Sequence, residues 1–106
     1  MIDITFNAET LELKIEGHAE HGDKGEDIVC SAISALFYTL AESVNQSATM
    51  LKEKPIFKDK NGNGYLRCKP KEEYAGNIAR SFWTILIGFE MVATQYPQNV
   101  KFKVVG

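Results

Sequence analysis

The chain has 106 residues, of which 44% are hydrophobic and 25% charged, and its formal net charge is −2. This is the composition of one globular domain; it excludes disordered and fibrous proteins, and a general nucleic-acid-binding protein would be more basic. Early charged residues argue against a secretory signal, and the most apolar stretch, residues 81–89, is too short to span a membrane. The two cysteines, Cys30 and Cys68, favour a reduced, cytoplasmic protein over a disulfide scaffold.

The first part of the chain predicts a hairpin followed by a helix. Apolar and polar residues alternate over residues 2–6 and again over residues 11–16, with a turn at residues 7–10. After a polar, glycine-containing loop, apolar residues recur at helical spacing over residues 28–49. Asp27 stands where a helix N-cap is expected.

The second part repeats this order and adds a strand. Residues 55–58 and 65–69 predict a second hairpin around the turn at 61–64, and residues 72–95 predict a second helix. Residues 100–104 alternate again as a last strand. The order ββαββαβ predicts an α+β, two-layer fold in which both helices pack on a largely antiparallel sheet, with one domain over the whole chain.

Residues that can perform chemistry concentrate in the segment from 17 to 30. His18 directly follows a strand, and Cys30 lies in the first turn of a helix, where backbone N–H groups and the helix dipole favour a thiolate. A histidine nearby can take the thiol proton and pass it to a leaving amine, and the same N–H groups can stabilise an oxyanion. Asp27 can orient the imidazole while it caps the helix.

Simpler interpretations stand beside this one. A lone cysteine at a helix start is usually a small buried residue, and both His18 and Asp27 can be purely structural. A zinc site is possible by residue type from His18, His21, Asp27 and Cys30. Their spacing matches no common metal motif, so neither a metal nor another cofactor is expected.

Two short motifs resemble those of the ribosomal-processing cysteine protease family Prp. Residues 17–19 read GHA and residues 27–36 read DIVCSAISAL, with a glycine-bearing loop between them. The family pattern is G-H-A, then D-[IV]-V-C-A-[AS]-[VI]-S-x-L, so Ser31 replaces the commoner alanine. The resemblance implies that Cys30 is the nucleophile and His18 its base, with Asp27 and Ser34 in supporting positions.

The same resemblance implies a function and partners. Such a protein removes an N-terminal extension from a large-subunit ribosomal protein or, as in related phage sequences, processes a phage structural protein. It also implies a homodimer. Neither membrane binding nor direct nucleic-acid binding is expected from the composition described above. One alternative is a non-catalytic peptide- or ribosome-binding module of the same fold. A redox-sensing thiol protein is another, and it would need Cys68 near Cys30.

The segment between the candidate base and nucleophile is acidic and contains glycines. We predict a substrate loop consisting of Gly17, Glu20, Gly22, Asp23, Gly25 and Glu26. Residues 1–30 hold eight acids against two lysines, a local charge of −6, whereas residues 52–71 carry a local charge of +5. These charges are either solvated faces or a field that attracts a basic polypeptide to the site.

The second helix carries two apolar stripes. Ile78, Phe82, Ile85 and Phe89 form one stripe, and Trp83, Ile87 and Met91 form the other. The first stripe predicts the core-facing side. The second predicts either a subunit contact or burial of the helix on both sides.

Overall fold

The computed structural model describes residues 1–17 and 27–106. Its elements in chain order are β1 (Ile2–Asn7), β2 (Glu12–Gly17), α1 (Ile28–Gln46), β3 (Ile56–Lys60), β4 (Asn63–Arg67), α2 (Ala75–Gln95) and β5 (Val100–Val105). Short 3₁₀ turns at Ala48–Met50 and Glu72–Tyr74 follow α1 and precede α2. The predicted order ββαββαβ and the α+β class are confirmed.

The strands described form one sheet in the order β3-β4-β2-β1-β5. β1 pairs antiparallel with β2 and parallel with β5, while β4 pairs antiparallel with both β2 and β3. Asn61 and Gly62 have φ values of 52° and 80°, which is the left-handed backbone that a two-residue hairpin turn requires. The sheet is therefore largely antiparallel, as predicted, with one parallel pair at the β5 edge.

Both helices bury an apolar stripe in the core. The buried residues of α1 are Val29, Ile33, Phe37, Leu40 and Val44, and those of α2 are Ile78, Phe82, Ile85, Leu86 and Phe89. They pack with alternate residues of the strands, which include Ile4, Phe6, Leu13 and Leu66. The apolar residues that alternate along the strands and those that recur at helical spacing therefore pack in one core between the sheet and the helices.

Two details differ from the sequence-based expectation. Leu11 was expected to open the second strand, but it belongs to the preceding turn and has a φ of 53°. The chain needs a left-handed residue there to reverse direction, so local geometry outweighs the apolar alternation. The second stripe of α2 is exposed, with Trp83 at 40%, Ile87 at 56% and Met91 at 67%. Burial of α2 on both sides is therefore wrong for the single chain.

One helix of the described residues, α1, is long and apolar enough to cross a membrane, with a mean hydropathy of 1.4 over its most apolar window. It is a different segment from residues 81–89, the short apolar stretch noted in the sequence. The five buried residues of α1 lie in the core at helical spacing, which is the pattern of a helix that packs one apolar side on a folded domain.

Candidate active site

The first turn of α1 is fixed by the Asp27 side chain. Its Oδ1 atom accepts hydrogen bonds from the backbone N–H groups of Val29, at 2.9 Å, and of Cys30, at 3.0 Å. The Asp27 carbonyl oxygen accepts a third from Ser31 N–H at 3.1 Å. Asp27 is therefore the N-cap, as predicted, and it is only 9% exposed.

This cap changes the expectation about the N–H groups at the start of α1. The sequence predicts that unpaired N–H groups there favour a thiolate and are available to an oxyanion, but the N–H groups of Val29 and Cys30 both donate to the Asp27 carboxylate. The carboxylate therefore occupies the position that a developing oxyanion would take at this helix end. A reaction at Cys30 must obtain its oxyanion donors from another group or by release of these bonds.

Cys30 is half-buried and packs against the edge of the hydrophobic core, and its sulfur is a thiol. Ser34 lies one helical turn further along the same side of α1 and is exposed. Tyr38, a further turn along, is also exposed. The structure thus places the predicted nucleophile and its predicted supporting serine on one accessible side of the helix.

Gly17 ends β2, directly before His18 in the chain. Its φ is 95°, and a Cβ at this position would collide with the carbonyl oxygen of Met1. Its backbone N–H donates to Oδ1 of Asn63 at 3.2 Å. Glycine is required here by both backbone conformation and space, so the glycine of the GHA motif has a structural reason.

Gly17 and Cys30 lie at the same end of the sheet. The ring of Phe37, in the middle of α1, lies against the backbone of Gly64, near the start of β4. Beyond the ends of α1 and β4, Leu51 forms a bridge with Pro70. α1 therefore runs in the direction of β4, and its first turn lies toward the end of the sheet where Asn63 contacts Gly17.

Most of the predicted substrate loop lies outside the described residues. This applies to the predicted base, His18, and to Glu20, Gly22, Asp23, Gly25 and Glu26. Of the predicted site, the structure describes Gly17, Asp27, Cys30 and Ser34. In residues 1–17 and 27–106 there is no group of three or more metal-ligating side chains; both histidines lie elsewhere.

Cys68 has different surroundings from Cys30. It is 3% exposed, and burial raises the pKa of its thiol to about 11. It follows β4, at the end of the sheet where α1 ends, whereas Cys30 lies at the start of this 19-residue helix. A helix of that length spans about 28 Å, and disulfide formation needs Cα atoms within about 7 Å. The hypothesis that Cys68 resolves an oxidised Cys30 is therefore wrong for the folded chain.

Sequence reasoning missed Asn63, which belongs to a segment predicted only as a turn. Its side chain extends the contact between β4 and β2 beyond the last paired residues, Ile15 and Gly64. The available signal was the second asparagine of the sequence Asn-Gly-Asn-Gly, since asparagine side chains bond nearby backbone groups at turns. The partner, Gly17, is 46 residues away, and no local pattern indicates it.

The chain matches the family model described as Cysteine protease Prp over residues 1–101. It belongs to this family. A relative, the ribosomal processing cysteine protease Prp of Staphylococcus aureus, is 26% identical over 102 residues, which cover 94% of this chain and 93% of the relative. Membership of the Prp family decides between enzyme and binding module: the chain is a cysteine protease.

Solved structures show the same fold. The Staphylococcus aureus Prp protease with a covalently linked product peptide has a TM-score of 0.72 and 26% identity, covering 97% of this chain and 96% of that one. SMU.848 from Streptococcus mutans has a TM-score of 0.69 at 21% identity, covering 98% and 91%, and supports the fold alone. The bound peptide in the first structure agrees with a polypeptide as the substrate of a Prp protease.

Proposed function

We propose that this chain is a cysteine endopeptidase with a His18/Cys30 dyad that removes an N-terminal extension from a large-subunit ribosomal protein. The observation that carries the proposal is the place of Cys30. It is a half-buried thiol in the first turn of α1, at the end of the sheet where β2 ends at Gly17, directly before His18 in the sequence. A thiol so placed, in a member of a cysteine protease family, is the strongest candidate nucleophile that the chain offers.

The proposed reaction has two steps. His18 takes the proton of the Cys30 thiol, the sulfur attacks the scissile carbonyl carbon, and the imidazolium then gives its proton to the leaving amine. Water, deprotonated by His18, attacks the resulting thioester and releases the new carboxylate and the Cys30 thiol. Asp27 supports both steps by holding the first helical turn, and therefore Cys30, in place. Ser34 supports them from the next turn of the same side.

The names of the relatives favour a ribosomal substrate. The curated relative and the solved Staphylococcus aureus structures are described as ribosomal processing proteases. The phage structural protein has no such support, so the proposal is limited to a ribosomal protein precursor in the cytoplasm. Ribosomal proteins are basic, and the acids Glu20, Asp23 and Glu26 would attract such a precursor by long-range steering.

A homodimer is part of the proposal. The exposed stripe of Trp83, Ile87 and Met91 on α2 is an apolar surface of the kind found in subunit contacts. Sedimentation at high micromolar concentration should show a species of twice the chain mass. Met91→Asp should shift it toward the monomer, and a wild-type chain that stays monomeric would remove this part of the proposal.

The deciding experiment uses intact mass. The purified chain is incubated with full-length large-subunit ribosomal protein precursors, and each product is weighed by mass spectrometry. We expect one precursor to lose a short N-terminal peptide, and we expect no cleavage with Cys30→Ala. Cleavage of a phage structural precursor instead, or equal cleavage by wild type and Cys30→Ala, would overturn the proposal.

A further inference from the structure

β3 is an edge strand with an open outer side. It pairs only with β4 in the described sheet, and all five of its residues are exposed. The turn Asn61-Gly62 makes Lys60 and Asn63 the hydrogen-bonded pair next to the loop. Because such pairs alternate along antiparallel strands, Phe57 and Asp59 direct their backbone N–H and C=O groups outward. The outer side of β3 therefore offers these groups to another extended chain.

Exposed aromatic side chains lie beside this edge. Tyr38 of α1 and Phe57 of β3 are 48% and 44% exposed, and their ring centroids are 6.3 Å apart. We call this pair the aromatic patch. Phe57 also stacks on the buried ring of Phe37, with centroids 5.4 Å apart and an interplanar angle of 21°. The patch is therefore held on a rigid base while its outer side remains open.

The aromatic patch and the candidate nucleophile share one side of α1. Cys30, Ser34 and Tyr38 follow one another at four-residue intervals, which places them along one stripe of the helix. Eight residues of helix rise about 12 Å. An extended peptide covers that distance in three to four residues. The stripe thus leads from the candidate nucleophile to the aromatic patch, where Tyr38 lies beside Phe57 of the edge strand β3.

We propose that the peptide substrate binds as an additional strand on the outer edge of β3, with one apolar side chain, three to four residues from the scissile bond, packed against Tyr38 and Phe57. The proposal rests on Cys30 as the nucleophile of the proposed function. A peptide is the fitting occupant because main-chain groups on β3 give affinity for any extended chain, while the aromatic patch selects a side chain. The other edge, β5, lies on the side of α2, which carries no candidate nucleophile.

The main-chain part is tested with a pair of variants at one position. Asp59→Pro removes the outward N–H without removing a β3–β4 hydrogen bond, and Asp59→Ala removes the charge but keeps the N–H. On a 12-residue precursor peptide that spans the cleavage site, we expect Asp59→Pro to raise KM about fivefold over Asp59→Ala, with kcat within about twofold. Equal KM values for the two folded variants would overturn the additional strand.

A scan of the peptide itself keeps the test independent of folding. Each residue of the same peptide is N-methylated in turn, and KM is measured with the unmodified protein. An added strand uses the N–H groups of alternate residues, so we expect KM to rise at every second position over four to six residues. A flat profile, or a single sensitive position, would overturn the proposal even where Asp59→Pro does not fold.

The side-chain part is tested with Tyr38→Ala and Phe57→Ala. Val104→Ala is the matched control, since Val104 is 42% exposed on the opposite edge strand. Alanine replaces each residue of the peptide in turn, and kcat/KM is compared with that for the original peptide. For the wild type and the Val104→Ala control, kcat/KM should fall about tenfold at one position, three to four residues from the scissile bond. The two patch variants should no longer discriminate there. Discrimination that persists in both patch variants would overturn the assignment.

The outcomes separate this inference from the proposed function. Retained cleavage in Cys30→Ala refutes the proposed nucleophile, whatever happens at β3. Full loss in Cys30→Ala together with normal kinetics in Asp59→Pro refutes the additional strand alone. If Asp59→Pro instead changes the sedimentation of the protein and leaves KM unchanged, a second copy of the chain covers the β3 edge, and the inference is wrong.

Discussion

The two cysteines of this chain show how one residue type acquires two chemistries. Cys30 lies half-buried in the first turn of α1, at an open side of the helix, whereas Cys68 is enclosed by the core after β4. Burial disfavours the charged thiolate and raises the pKa of Cys68 to about 11. The comparison teaches that the fold separates a thiol available for reaction from one that serves only as an apolar side chain.

The largest expected effect is on catalysis. Cys30→Ala should abolish cleavage of the precursor, because no other described thiol is accessible, whereas Cys68→Ala should retain kcat/KM within about twofold once folded. Each variant is assayed by product mass after its fold is checked by circular dichroism. Loss of activity in Cys68→Ala with a normal melting curve would contradict the conclusion that Cys68 serves only as an apolar side chain.

A smaller, graded effect is expected on thiol reactivity. With iodoacetamide at pH 7.5, Cys30 should be alkylated on the order of 100-fold faster than Cys68, because burial keeps Cys68 protonated and inaccessible. His18→Ala should slow labelling of Cys30 and lower cleavage by about 10²–10⁴-fold, the usual contribution of general-base catalysis. Peptide mapping over time gives both rates. An equal rate of Cys30 labelling in wild type and His18→Ala would contradict the dyad.

The buried thiol should also leave a signature in stability at high pH. The pKa of Cys68 is raised in the folded state from 9.0 to about 11, so the folded state favours the protonated thiol. The contribution of Cys68 to the stability of the folded state is therefore present below pH 9 and is lost as the pH rises from 9 to 11. Across that range, the free energy of unfolding of wild type should fall by roughly 1–2 kcal/mol more than that of Cys68→Ala. Urea denaturation at each pH measures this free energy of unfolding. If it depends on pH in the same way for wild type and Cys68→Ala, the raised pKa of Cys68 is contradicted.

The smallest effect concerns the Asp27 cap beside Cys30. Asp27→Ala should cost about 1 kcal/mol of stability, because the N–H groups of Val29 and Cys30 lose their acceptor. Asp27→Asn keeps an acceptor oxygen and should restore most of the melting temperature. If Asp27 also orients His18, Asp27→Asn will restore stability but not kcat. Restoration of both would show that Asp27 is a cap only.

Much of this fold could be predicted because its signals are local. The alternation over residues 2–6 predicts β1, and the spacing of Val29, Ile33 and Phe37 predicts the buried side of α1. The cap needs only an aspartate before a helical pattern, so Asp27 and the position of Cys30 in the first turn followed from a few residues.

The rest of the site depends on contacts between distant parts of the chain. No local pattern reveals that Asn63 holds Gly17, or that Phe57 of an edge strand stacks on Phe37 of α1. These features arise only when hairpin and helix are brought together.

The contact between Phe37 and Gly64 links β4 to the aromatic patch. The ring of Phe37 lies on the backbone of Gly64, and a Cβ at Gly64 would come within 2.8 Å of it. An alanine at this position would therefore force the ring to move. Because the same ring stacks on Phe57 with centroids 5.4 Å apart, that movement would reach the aromatic patch. The packing of the patch thus depends on the absence of a side chain on β4, at a residue that has no chemistry of its own.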